Sequence, residues 1–301
     1  MSGSGECVRD TSPLFLCYTF FMKLQRFFVQ EKLGDLEIGN DFFVADKDLE
    51  NQLRKVFRFH GGEVVELFDG SGFNFESEIL NFSPENGKDG VNFKLISKKK
   101  NENVPKVELH LFQAIIKKDN FEWIVEKCTE LGVKAFHPII SERSEKKDLN
   151  LERLNKIAKE ASEQSGRAEI PDIFEPAEFS EALNNFDGKL FAFDLGGVSF
   201  SSVFASETKQ SRKSELDCFG YTLAKTEEMD PGLRRDDRKK DGNDRGDNRK
   251  EKIGIIVGPE GGWSEGDMKI LKDKKVETIS LGKQVLRAET AAIVASSLFL
   301  I

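Results

Sequence analysis

The feature that most constrains this chain is a change of rhythm near Lys106. From there to the C-terminus, short apolar runs alternate with helical periods. Residues 107–116 (VELHLFQAII) read as a strand. Phe121, Ile124, Val125, Cys128 and Leu131 then share one helical face, with Asp119 as a candidate cap and Gly132 as a stop. KAFHPII (134–140) is a strand, and Leu151, Leu154, Ile157, Ala158 and Ala161 line a further helix. The runs KLFAFDL (189–195) and KIGIIVG (252–258) are apolar almost without interruption, as strands buried on both faces must be. VETISLG and AETAAIVASSLFLI close the chain as a last strand and helix. Such alternation predicts an α/β fold with a parallel sheet.

Upstream the pattern differs. Short apolar runs at 27–29, 41–46, 63–70, 73–79 and 91–96 are broken by Gly, Asn and Asp, and read as strands of a small β-barrel. Leu49, Leu53, Val56 and Phe57 have the period of a short helix, and Asp69-Gly70-Ser71-Gly72 is a hairpin turn. Ser97 to Lys106 is a polar linker ending near Pro105. The expected division is therefore a barrel over 23–97 and an α/β domain over 105–301. Residues 1–22 are expected to be an N-terminal extension outside the barrel, with Met22 a candidate native start and 1–21 an upstream over-read. Their apolar stretch, PLFLCYTFFM, lacks the positive flank and small-residue cleavage site of a signal peptide. From Arg234 to Lys252, 15 of 19 residues are charged, 9 basic and 6 acidic, and the other four are Gly or Asn. A segment so polar cannot bury enough surface to offset its ordering entropy, so 206–252 is expected to be a disordered insertion between two core strands.

Composition narrows the function. Lys and Arg number 45 against 53 Asp and Glu, a net charge of −8, which argues against coating nucleic acid by bulk charge but leaves room for a local basic surface. The four cysteines (Cys7, Cys17, Cys128, Cys218) are widely separated, with no CxxC pair and no histidine in ligand spacing. No metal site or disulfide framework is expected, and a reducing compartment is the natural setting. No run of about 18 apolar residues suggests a membrane span.

The densest information lies near the C-terminus. Gly258-Pro259-Glu260-Gly261-Gly262 follows a buried strand, and Ser264 with Asp267 forms a capping box for the next helix. The glycines let backbone approach a ligand closely, although the pattern is neither a dinucleotide fingerprint nor a P-loop. On its own it is equally well an ordinary glycine-rich turn. A second loop, Leu281-Gly282-Lys283 through Leu286-Arg287-Ala288-Glu289-Thr290, follows the next strand and opens the last helix. Two such loops at neighbouring strand ends define a crevice at the carboxyl edge of a parallel sheet.

IIVGPEGGWSEGD followed by ISLGKQVLRAETA resembles the C-terminal signature of the bacterial 16S rRNA uracil-N3 methyltransferases of the SPOUT superfamily. KLQRFFV, KVFRFHGGEVVELFDG, IIKKDNFEWIVEKCTELGVKAFHPIISERS and RLNKIAKEASEQSGRAEIP resemble that family's earlier blocks. The likeness spans nearly everything from Met22 to Ile301 except the insertion. Two departures are Gln52, where the family often has histidine, and Trp263, where phenylalanine is usual. The resemblance implies a PUA-like barrel followed by an α/β domain whose C-terminal segment threads a trefoil knot. It also implies bound S-adenosylmethionine, a homodimer, a cytoplasmic setting, and 16S rRNA in the small ribosomal subunit as substrate. Gly258, Pro259, Glu260, Gly261, Gly262, Leu281, Gly282 and Leu286 would cradle the cofactor, with Asp194 and Leu195 as a third wall. Alternatives are a ribosome-associated RNA-binding protein whose methylation site has decayed, and a SPOUT enzyme acting at another RNA position.

The chemistry agrees with that implication. Methyl transfer from a sulfonium needs in-line placement and no covalent nucleophile. The uracil N3 lies on the pairing edge, so the base must be unpaired or flipped, and charge developing on its carbonyls needs a fixed cation. Arg287 is the candidate. Glu289 would orient Arg287 or accept the proton, and would equally suit a helix N-terminus with no catalytic part. Arg26, Arg58, Lys117, Arg143 and Arg167 are candidate phosphate contacts. For Arg26 and Arg58, structural pairing within the barrel is an equal alternative.

Overall fold

The structure, a computed structural model, describes residues 24–84, 87–144, 148–200, 202 and 250–301. The expectations for residues 1–22, and for all but the last three residues of the 206–252 insertion, lie outside those described.

The first unit contains β1 (Arg26–Phe28), β2 (Asp41–Val44), α1 (Lys47–Asn51), β3 (Val64–Phe68), β4 (Phe73–Asn81) and β5 (Val91–Lys100). Its sheet runs β1-β3-β4-β5-β2, with β1 parallel to β3 and the other pairs antiparallel. Alternate residues such as Phe75, Ile79, Phe93 and Leu95 turn inward onto Phe27, Leu49 and Leu53. The β3–β4 turn is the expected hairpin, with Gly70 and Gly72 at φ +78° and +83° and the Ser71 N–H donating to Asp69 Oδ1.

Two local expectations change here. The helix predicted from Leu49, Leu53, Val56 and Phe57 is capped by Asp46 but passes at Gln52 into a π-helical turn (Gln52–Val56). The wider turn rotates Val56 off the core face, leaving it 71% exposed. The linker also starts later than Ser97. β5 continues through Lys98, Lys99 and Lys100, paired with Phe75, Asn74 and Phe73. Its lysines are held by Glu76, which pairs with Lys99 at 2.8 Å, and by the Phe73 ring beneath Lys98.

The second unit contains β6 (Glu108–Ala114), α2 (Lys118–Leu131), β7 (Ala135–Ile140), α3 (Leu151–Ser165), β8 (Asp172–Ile173), β9 (Ala177–Glu178), α4 (Phe179–Asn184), β10 (Lys189–Ser199), β11 (Lys252–Val257), α5 (Glu265–Asp273), β12 (Glu277–Ser280) and α6 (Ala288–Leu300). Its seven strands are all parallel, in the order β12-β10-β11-β6-β7-β8, with β9 also on β7. The near-continuous apolar runs are β10 and β11 at its centre. One face is covered by α2, α3 and α6, through Phe121, Ile124, Leu154, Ala292 and Phe299. The other is covered by α4 and α5, through Phe179, Leu183 and Leu271. Gly132 ends α2 in the left-handed conformation, as expected. Its N-cap is Lys117, however, and Asp119 lies in the first turn, where an acidic side chain favours the helix dipole. The chain passes from β11 across β10 to β12, then returns so that α6 packs against α2, β6 and β11.

The units meet at the amino edge of the parallel sheet, through two buried arginines. Arg26 pairs with Glu66, donates to Asn74 Oδ1 at 3.1 Å, and reaches the backbone carbonyls of Ser162 (3.3 Å) and Arg167 (3.0 Å). Arg167 in turn donates to the carbonyls of Thr129 (2.9 Å) and Val133 (2.8 Å). Each guanidinium thus satisfies carbonyls at the C-terminus of a helix, α3 or α2, where positive charge is favoured.

Candidate active site

The carboxyl ends of β10, β11 and β12 surround a cleft of about 300 Å³. Phe193, Asp194 and Leu195 come from β10. Gly258, Pro259, Glu260, Gly262 and Trp263 come from the loop after β11, and Leu281, Gly282, Gln284, Val285 and Leu286 from the loop after β12. Arg287, Ala288 and Ala291 close it from the start of α6.

Each wall has a local cause. In the first, β10 bulges. Phe193 and Val198 are both in register with Ile279 of β12, so Asp194 to Gly197 arch out of the sheet. Asp194 Oδ2 accepts the Gly196 N–H at 3.0 Å, closing the arch. A Cβ at Gly197 would lie 2.6 Å from the Ile279 backbone, so only glycine lets the two strands meet there. In the second, the Gly262 N–H bonds the Pro259 carbonyl at 2.9 Å, with Gly262 at φ +68°. The next residue, Trp263, packs its indole on Gly258, stacks on Phe179 and donates Nε1–H to the Phe193 carbonyl at 3.3 Å. That single side chain ties the second wall to the first. The Ser264–Asp267 capping box holds the start of α5, as the sequence predicts. In the third, Ser280 Oγ donates to the Gly282 carbonyl at 3.0 Å, and Gly282 sits at φ +136°.

The expected cofactor-wall residues thus converge, except Gly261. It is exposed outside the cleft, and its carbonyl accepts from Arg143 at 2.8 Å. Of the expected catalytic pair, Arg287 is the N-cap of α6, with its side chain 85% exposed at the cleft. Glu289 is buried in the first turn of α6, two residues on, its Oε1 4.0 Å from the guanidinium and its Oε2 without a hydrogen-bond partner among the described residues.

The five expected phosphate contacts separate. Lys117 and Arg143 are exposed just beyond the carboxyl ends of β6 and β7, on the same edge as the cleft. Arg58 is exposed on the first unit, in a left-handed conformation at φ +58°. Arg26 and Arg167 are a correction. Both are buried in the junction, Arg26 in the structural pairing that was its alternative reading and Arg167 with Nη1 donating to two carbonyls, so neither faces solvent where a phosphate could meet it. Burial lowers the Arg167 pKa to about 10, which leaves it charged at neutral pH.

Seven residues of the cleft wall were not among the expected site residues: Phe193, Val257, Trp263, Gln284, Val285, Ala288 and Ala291. Their neighbours among the expected residues lay close enough to have indicated them. Sequence reasoning also missed a broad groove of about 1280 Å³ between the first unit and α3, with Gln30, Asn51, Gln52, Lys55, Lys156 and Lys159 on its walls. Those residues come from segments far apart in sequence, and no local pattern joins them. Among the described residues no group of three or more potential ligands could hold a metal, and no helix is long and apolar enough to cross a membrane.

A parallel α/β sheet with a glycine-walled cleft at its carboxyl edge defines a ligand-binding enzyme domain of the doubly covered class. Comparison with known proteins sharpens this. A family model, the RNA methyltransferase domain, matches residues 102–300, and the chain belongs to that family. Ribosomal RNA small subunit methyltransferase E of Bacillus subtilis is 26% identical over 281 residues, covering 91% of this chain and 95% of its own. The protein of that name in Rickettsia conorii is 27% identical over 278 residues, covering 91% and 94%. In fold, the chain is similar to ribosomal RNA small subunit methyltransferase E from Neisseria gonorrhoeae bound to S-adenosyl methionine. That likeness has a TM-score of 0.66 at 23% identity, covering 91% of this chain and 96% of the other.

Proposed function

We propose that this chain uses S-adenosylmethionine to methylate N3 of a specific uridine in the decoding region of 16S rRNA, acting on the small ribosomal subunit in the cytoplasm. The observation that carries the reading is the convergence of two glycine loops and the β10 arch on one cleft. The relatives' names supply the small-subunit rRNA, and the Neisseria protein's bound ligand supplies the cofactor.

The residues fit that cofactor. Glycine turns admit close backbone approach, Phe193, Leu286 and Trp263 give apolar walls, and the carboxylates of Asp194 and Glu260 suit a ligand carrying sulfonium and ammonium charge. The cofactor would supply an activated methyl group, so the chain needs no nucleophile of its own. Arg287 presents its guanidinium at the open side of the cleft, where it would stabilise charge developing on the uracil carbonyls. Glu289, buried beneath it with its Oε1 4.0 Å from that guanidinium, would restrict its orientation.

The return of the chain from β12 to α6 is read as the trefoil knot, and the first unit as a PUA-like RNA-binding domain. A homodimer is supported by α6, which is apolar almost all round yet leaves Ile293, Val294, Leu298 and Leu300 only partly covered. Leu195 and Val285 beside it are 54% and 80% exposed.

The test is methylation of small subunits lacking the mark, with labelled S-adenosylmethionine and the full chain. Label at uridine N3 is expected. Label on a ribose 2′-oxygen would overturn the position, and an absence of cofactor binding by calorimetry would favour an RNA-binding protein without activity.

A further inference from the structure

We propose that Arg143 is a positioning residue that braces the Pro259–Gly262 turn from outside the cleft, and thereby sets the affinity for the cofactor. The inference rests on the methyltransferase reading above.

Two features of the loop after β7 point to it. First, Ser141 to Ser144 form a closed turn. The Ser144 N–H donates to the Ser141 carbonyl at 3.1 Å, the Ser141 N–H donates to Ser144 Oγ at 3.2 Å, and the two hydroxyls lie 3.0 Å apart. That closure fixes the two central residues, Glu142 and Arg143, in direction. Second, both central side chains reach the same neighbour. Arg143 donates to the Gly261 carbonyl at 2.8 Å, and its Cβ and Cδ lie 3.6 Å from where a Gly261 Cβ would be. Glu142 lies over Gly266 in the first turn of α5, so that a Cβ there would collide with its carboxylate. One rigid turn therefore grips the cofactor loop at its tip and at the helix that follows.

The gripped carbonyl belongs to the Gly261–Gly262 peptide, whose N–H closes the turn onto Pro259. The Pro259–Gly262 hydrogen bond alone holds that peptide by one end. A charge-assisted bond to the Gly261 oxygen holds the other end, so the closing peptide cannot tilt and Pro259, Glu260 and Gly262 stay in place on the cleft side. Arg143 would thus act through the backbone, at the one wall residue that does not itself face the cleft.

The experiment compares Arg143→Ala and Arg143→Lys with the wild type. Calorimetry is expected to show cofactor binding weakened roughly tenfold by Arg143→Ala, the scale of a lost charge-assisted hydrogen bond, and partly restored by Arg143→Lys. Steady-state assays should show KM for the cofactor raised with kcat held, and affinity for small subunits unchanged without cofactor. Cofactor affinity within about twofold of wild type, or a loss confined to RNA affinity with a salt slope reduced by about one, would overturn the proposal and make Arg143 a phosphate contact. Amide exchange in the free protein separates this from the functional reading. The Gly262 amide, which closes the turn onto Pro259, should exchange faster in Arg143→Ala whether or not the protein binds the cofactor, and unchanged exchange refutes the brace. If the wild type takes up no cofactor, the methyltransferase reading fails on its own.

Discussion

The two edges of the parallel sheet carry the same kinds of residue and use them oppositely. At the amino edge helices end, and Arg26 and Arg167 are drawn in to satisfy their carbonyls. At the carboxyl edge helices begin. Arg287, Lys117 and Arg143 remain exposed there, beside glycine turns that leave room for a ligand. An arginine is drawn into the fold or left at its surface according to which end of a helix it meets, because the carbonyl end attracts cations and the amide end does not. One edge is closed by its cations, and the other is kept open with them at its rim.

The comparison can be broken at several points. Arg26→Ala should have the largest effect. It leaves Glu66 and two helix-end carbonyls unpaired in the junction, and a loss of about 3–5 kcal/mol in urea unfolding is expected. Arg143→Ala, on the open edge, loses one exposed hydrogen bond and should cost much less, about 1 kcal/mol or under. Equal losses in the two variants would abolish the distinction. Arg287→Ala should lower single-turnover methyl transfer by about 10²–10³-fold, with cofactor affinity nearly unchanged. Unaltered turnover would remove Arg287 from the mechanism. Gly197→Ala forces a Cβ against the Ile279 backbone and should cost about 1–3 kcal/mol, with weaker cofactor binding, by thermal melts and calorimetry.

The smallest effect concerns pH. His137 lies between the rings of Phe112 and Phe174 and within 3.0 Å of His110, and burial lowers its pKa to about 4. A histidine depressed in the folded state contributes stability that is present above its unfolded pKa of about 6.5 and is lost as pH falls toward 4. Wild type should therefore lose melting temperature over that window, and His137→Phe should lose less, by roughly 5 °C or under. Parallel profiles would show that the column of rings does not titrate.

Much of this was legible beforehand because it is local. The strands, the hairpin at Gly70 and Gly72, the left-handed stop at Gly132 and the Ser264–Asp267 box each follow from a few adjacent residues. The cleft was legible as two loops at the carboxyl edge of a parallel sheet, but the strands they follow, β11 and β12, are not neighbours as expected: β10 lies between them and supplies the third wall. What could not be read depended on contacts distant in sequence. Arg167 looked like a phosphate ligand, and Arg26 equally like a phosphate ligand or a barrel pairing, because an isolated arginine carries no mark of burial. Lys98 to Lys100 looked like a linker because their pairing with β4 is made across the sheet. The π-helical turn at Gln52 broke a correct period through backbone geometry that side-chain spacing does not encode.

The arch in β10 has one further consequence. Because Phe193 and Val198 are in register with the same residue of β12, the segment between them contributes no net advance along the sheet. Residues could be added or removed there without shifting the pairing of any strand. The ligand-facing wall is in that respect a replaceable cassette, able to change its reach while the frame that holds it stays as it is.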